Sequence, residues 1–219
     1  MFLRRFHIKP PSRWKCRDCL KTPHQKRYFL KKKWKQMFSS EILVIDGKLF
    51  QNESTFNKFE TLPHVRILIL RHCQLISLPL LPNCVELYTI DTKLKYLPEL
   101  PECQIIDVAY NRLAELPYLP KAKVVRCEYN SITSLGDLPQ CRQLFCDGNQ
   151  LSEVPASLTR CRKIRASQNK IQKIPFLKKC KSVSLNGNPI RSILLNSHCQ
   201  IVSEGRSFIQ VNRFAAVVE

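Results

Sequence analysis

The sequence predicts an α/β-type solenoid, with short parallel strands on a concave face and an extended, polyproline-like convex side. Three observations predict it. Asn111, Asn130, Asn149, Asn169 and Asn188 recur at intervals of 19, 19, 20 and 19. Pairs of alternating, mostly apolar residues precede each asparagine, among them Ile106/Val108, Val125/Cys127 and Leu144/Cys146. Pro79, Pro82, Pro98, Pro101, Pro117, Pro120, Pro139, Pro155 and Pro175 fall in the same phase.

Each part of the unit has a physical task. Alternate residues of a strand point to one face, so the apolar pairs mark a strand with its inward side chains in a core. Strands are expected to begin near residues 67, 86, 105, 124, 143, 163 and 182. An asparagine side chain carries an acceptor and two donor hydrogens, and can bridge backbone groups of neighbouring coils. The proline-bearing half cannot be helix interior, because proline lacks the amide proton and fixes φ. Extended backbone is expected there.

The unit L-x-x-L-x-L-x-x-N-x-L-x-x-L-P-x-L-P-x, clearest over residues 103–121, is the leucine-rich repeat pattern in a slightly short form. It resembles the repeats of secreted bacterial effectors, the short-repeat class in which L-P-x-L-P recurs. Basic, cysteine-bearing leucine-rich repeat proteins of large DNA viruses are similar too. The resemblance covers about residues 65–200 and implies a domain that binds proteins. Some bacterial members append a ubiquitin-ligase domain; the sequence ends soon after its last full repeat, so none is expected. Four domain segments follow: 1–41, a basic arm and helical cap; 42–64, a first strand and connection; 65–198, the leucine-rich repeats; 199–219, a C-terminal edge coil or cap.

The copies depart from the consensus in places. Thr92 replaces an asparagine and Thr89 an inward aliphatic residue. The sixth and seventh copies lose their second proline, giving Phe176-Leu-Lys-Lys-Cys180 and Ile190-Arg-Ser-Ile-Leu194. In the last copy Glu204 takes an inward position, as an edge coil grading into a cap would allow.

The formal charge is +19, from 36 lysines and arginines against 17 acids. Residues 1–40 hold thirteen of the bases and one acid, Asp18. Such an arm attracts polyanions. Thr22-Pro23 reads as a helix start, with Leu30, Trp34, Met37 and Phe38 on one stripe. This helix is expected to lie on the strand at 42–46 and cover the first coil. Lys31, Lys32, Lys33 and Lys35 crowd its other surface and are the candidate polyanion contacts.

Cys84, Cys103, Cys141, Cys161, Cys180 and Cys199 share one phase among the eleven cysteines. They read as small buried hydrophobes of a reduced intracellular protein or a virion component, not as a disulfide framework. Cys16 and Cys19 stand outside that phase. With His24 and His7 they supply zinc-ligand types, but the second half of the site is poor in spacing and order, so two thiols without metal are expected.

Outward strand positions give the candidate protein-binding face: Tyr88, Asp107, Tyr110, Arg126, Tyr129, Phe145 and Arg165. Aromatics and arginines are what binding surfaces use. A basic column beside them, Arg66, Lys123, Arg142, Arg162 and Lys181, has the residue types that contact phosphates. No P-loop, dinucleotide fingerprint or nucleophile motif is present, so neither an enzyme nor a cofactor is expected. No apolar run reaches membrane-spanning length, and no secretory signal follows the basic N-terminus. The expected function is a non-enzymatic interaction or scaffold protein, a virion component or host-directed factor of a large DNA virus. The alternative is a nucleic-acid-associated structural protein that uses its basic arm.

Overall fold

The computed structural model describes residues 41–46, 60–190, 192–202 and 210–214. All belong to one compact unit, Ser40–Glu219. The expected capping helix, its lysines, the Cys16/Cys19/His24/His7 group and Glu204 lie outside the described residues.

The strands are β1 Ile42–Asp46, β2 Ile67–Arg71, β3 Glu86–Tyr88, β4 Ile105–Asp107, β5 Val124–Arg126, β6 Gln143–Phe145, β7 Lys163–Arg165, β8 Ser182–Ser184, β9 Ser192–Asn196, β10 Gln200–Ile201 and β11 Gln210–Phe214. A nine-stranded sheet runs β1-β2-β3-β4-β5-β6-β7-β8-β10, and every pairing in it is parallel. The strands begin at the positions the repeat phase predicts. Each coil turns once and returns beside its predecessor, as a solenoid requires.

The core is built from columns. Leu68, Leu87, Ile106, Val125, Leu144, Ile164 and Val183 point inward from β2 to β8, all with 0% exposure. Leu62, Leu81, Leu100, Leu119, Leu138, Leu158 and Leu177 form a facing column from the proline-bearing half, and all are buried. Each such side chain contributes about 1.5–3 kcal/mol by leaving water. The cysteine phase is a third column, with Cys84, Cys103, Cys141, Cys161, Cys180 and Cys199 all buried. Burial raises the Cys84 thiol to about 12 and pushes Cys103 up as well, so both stay protonated. The thiols donate to backbone carbonyls two residues on, Cys141 to Gln143 (3.3 Å), Cys161 to Lys163 (3.3 Å) and Cys180 to Ser182 (3.4 Å).

The asparagines tie coil to coil. Asn130 Nδ2 donates to the carbonyl of Val108 (3.0 Å), one coil back, and its Oδ1 accepts from the amide of Leu113 (3.0 Å). Asn149, Asn169 and Asn188 repeat this arrangement. Where Thr92 replaces the asparagine, its backbone carbonyl takes over and accepts from the amide of Leu75 (3.0 Å). Lys93 (φ 62°), the residue after it, is in the left-handed region, as the residues that follow the asparagines are not.

The proline-bearing halves form only isolated bridges, Thr61 to Leu80, Glu115 to Ser134 and Glu153 to Lys173. The seventh copy differs from the extended convex side expected for it. Ser192–Asn196 is a full strand, and it pairs in parallel with β11 in a second, two-stranded sheet. The physical reason is the loss of both prolines, whose positions hold Leu194 and Ser197, whereas the sixth copy keeps Pro175: with every amide proton present, this half can form a ladder that Pro-containing copies cannot.

Candidate interaction face

The outward side chains of the sheet stand in columns because the parallel register sets each above its equivalent one coil away. Tyr88 aligns with Asp107, Asp107 with Arg126, Arg126 with Phe145, and Phe145 with Arg165. Five of the predicted face residues are therefore neighbours in one row. Tyr110 and Tyr129 stand in a second row, past the strand ends.

That second row has an unusual backbone. His72, Asp91, Tyr110, Tyr129, Gly148, Gln168 and Gly187 all have φ between 53° and 70°. Such values are rare for bulky residues. The two glycines in this phase were the sequence signal for it, since glycine adopts positive φ without a Cβ clash. The Tyr110 and Tyr129 rings stack with centroids 4.7 Å apart and an interplanar angle of 16°. A Cβ on Gly148 would fall 2.7 Å from Tyr129 Cδ1, so the absence of a side chain there seats the stack. Both rings remain about half exposed, at 54% and 46%.

Phe145 corrects the sequence expectation. It was expected as an exposed aromatic contact but is only 5% exposed. The Arg126 guanidinium lies 4.3 Å from its ring centroid and the Lys163 ammonium 5.5 Å, a cation–π cover from both neighbouring coils. The surface offered at that point is two cations over a ring.

A third outward row, two residues beyond the first, was missed. It contains Glu128 and Asp147, and strand alternation past Arg126 and Phe145 was the signal for it. Asp147 is 7% exposed in its side chain; its Oδ2 meets Arg165 Nη2 at 2.9 Å and its Oδ1 accepts from the amide of Ser167 (2.7 Å). Glu128 Oε2 is shut off from solvent without a hydrogen-bond partner. Burial raises the Glu128 carboxyl above the usual range, and the charges of Asp107 and Asp147 add to the shift. Asp107 is raised by burial too, opposed by the Ala109 amide and by Arg126. Tyr88 Oη donates to Glu86 Oε2 (2.9 Å), and burial together with that carboxylate raises its phenol.

Among the described residues, no three His, Cys, Asp or Glu side chains group as metal ligands would, and no helix is long and apolar enough to cross a membrane.

A parallel one-strand-per-coil sheet closed by an asparagine ladder defines a leucine-rich repeat solenoid. Solved structures agree. The chain is similar to a Shigella effector leucine-rich repeat domain (TM-score 0.54, 19% identity, 87% of this chain and 98% of that one). It is similar to YopM, a leucine-rich effector protein of Yersinia pestis (TM-score 0.54, 18% identity, 89% and 61%). A leucine-rich repeat protein of Leptospira interrogans also matches (TM-score 0.51, 20% identity), over 65% of this chain and half of that one. At these identities the likeness is one of fold. No protein-family model matches the chain, and no curated protein does.

Proposed function

We propose that the protein is a non-enzymatic interaction scaffold that binds a protein partner through the sheet face, concave in this class of solenoid. The observation that supports this most directly is the Tyr110–Tyr129 stack, held half exposed on left-handed backbone and set on Gly148. Large aromatic rings beside arginines are the residues that carry most binding energy at protein interfaces. Rings already stacked lose little rotamer freedom on binding, which favours affinity. Arg126, fixed over Phe145, and Arg165, fixed on Asp147, supply directional donors on the same face.

The test is affinity capture with the full-length chain and with Tyr110→Ser/Tyr129→Ser, followed by washing at high salt. A protein held at high salt by the wild type and released by the variant is the expected result. Capture that salt abolishes and the variant leaves unchanged would overturn the reading. Circular dichroism confirms that the variant keeps its fold.

A further inference from the structure

Charge within the repeats is divided unevenly. Residues 60–120 contain five bases and seven acids, whereas residues 121–190 contain thirteen bases and four acids. The excess has a defined place. Lys123, Arg142, Arg162 and Lys181 each precede a strand, and their backbones bond in series: Arg142 N to Lys123 O, Arg162 N to Arg142 O and Lys181 N to Arg162 O, each 2.8 Å. They are therefore direct neighbours across the sheet, about 4.8 Å apart, in a row about 14 Å long. All four side chains are exposed. None pairs with an acid among the described residues, where the ion pairs are Lys121–Glu102 and Arg165–Asp147. The equivalent positions in two of the preceding coils are Val85 and Gln104.

Like charges directly opposite each other on adjacent strands are destabilising. Four in a row, with their acids missing, work against the fold. The row borders the face that holds Asp107, Glu128 and Asp147. We propose that the ladder Lys123–Arg142–Arg162–Lys181 docks an extended acidic segment of the partner protein, lying across the coils along the leading edge of the sheet. This rests on the reading of the sheet face as a protein-binding surface and names the chemistry of what it takes.

Charge complementarity alone would also admit nucleic acid. The neighbouring rows favour a polypeptide. A phosphodiester backbone brought to this face meets the carboxylates of Asp107 and Glu128 with charge of the same sign. It also carries no hydrogen-bond donor to offer those carboxylates. A polypeptide presents acids to the ladder and backbone or side-chain N–H groups to the carboxylates.

The experiment uses the full chain carrying Lys31→Gln, Lys32→Gln, Lys33→Gln and Lys35→Gln, so that the basic arm contributes less. Fluorescence anisotropy follows a labelled oligoglutamate peptide and, separately, a labelled oligothymidylate. Adding Lys123→Gln, Arg142→Gln, Arg162→Gln and Lys181→Gln should weaken oligoglutamate binding by at least about tenfold at low ionic strength, where attraction is least screened. The melting temperature should hold or rise. Unchanged oligoglutamate affinity overturns the proposal. Oligothymidylate bound more tightly than oligoglutamate, and released by the same substitutions, overturns the protein segment as occupant. If the fourfold change unfolds the chain, the pairs Lys123→Gln/Arg142→Gln and Arg162→Gln/Lys181→Gln are measured separately, with each expected to weaken binding. Tyr110→Ser/Tyr129→Ser should leave oligoglutamate binding unchanged. A partner indifferent to the tyrosines, with the ladder still binding oligoglutamate, would therefore sink the scaffold reading and not the ladder.

Discussion

Thr89 is fully buried, and its hydroxyl oxygen has no hydrogen-bond partner. Its equivalents one coil to either side are Leu70 and Val108. Valine has nearly the same shape and no polar atom to strand. Thr89→Val should stabilise the fold by about 1 kcal/mol, the lower end of the cost of an unsatisfied buried group. Urea denaturation reads this as a higher midpoint at unchanged slope, and a lower midpoint would refute it. Glu128 is a second strained residue, and its strain depends on pH. Its folded carboxyl is raised above the unfolded value, so the folded state binds the proton more tightly. The associated stability is present below the unfolded carboxyl value and is lost as pH rises through the raised one. Glu128→Gln should flatten that decline between acidic and neutral pH, leaving the share of Asp107, which shifts in the same direction. Parallel urea titrations across that window check it, and identical slopes would show that Glu128 titrates normally.

The coil is the next unit of scale, and most of its strands have only three residues. Such strands hold their place through what flanks them. Asn130 bonds the Val108 carbonyl and Leu113 amide of the coil before, and also the carbonyls of Cys127 and Glu128 in its own turn. Asn130→Ala should cost about 1–3 kcal/mol, because it leaves these backbone groups unmet. Asn188→Ala should cost less, since fewer coils follow it. Equal and negligible losses in thermal unfolding would refute the ladder as a source of stability. This ladder was legible in the sequence because its period, its residue type and the inward alternation all pointed to one register. The starts of β2 to β8 were legible for the same reason. What stayed hidden depends on contacts between coils, not on phase. Phe145 reads as an exposed outward aromatic until Arg126 and Lys163, each one coil away, are seen to cover it. The strand Ser192–Asn196 was signalled by its missing prolines, but its partner, Gln210–Phe214, lies beyond the repeat pattern. The left-handed row was marked by Gly148 and Gly187, while the tyrosines and histidine in the same phase concealed it.

Across the whole molecule the dominant quantity is charge. Residues 1–40 hold thirteen bases and one acid, so the first sixth of the chain carries most of the +19. Bases gathered at that density repel one another and do not stabilise a fold by pairing among themselves. Replacing Lys31, Lys32, Lys33 and Lys35 with glutamine should therefore leave the melting temperature nearly unchanged. It should weaken binding to heparin or random nucleic acid, and reduce the dependence of log affinity on log salt by up to about one unit for each phosphate that the arm no longer neutralises. Three outcomes separate the possibilities. A steep salt dependence that falls with the arm substitutions, while the salt-resistant protein partner is kept, assigns polyanion binding to the arm and the partner to the sheet face. Unfolding of the arm variant would mean that those lysines are paired inside the fold. No change in stability or binding would make the arm a solvated tail and leave the repeats as the whole of the binding surface.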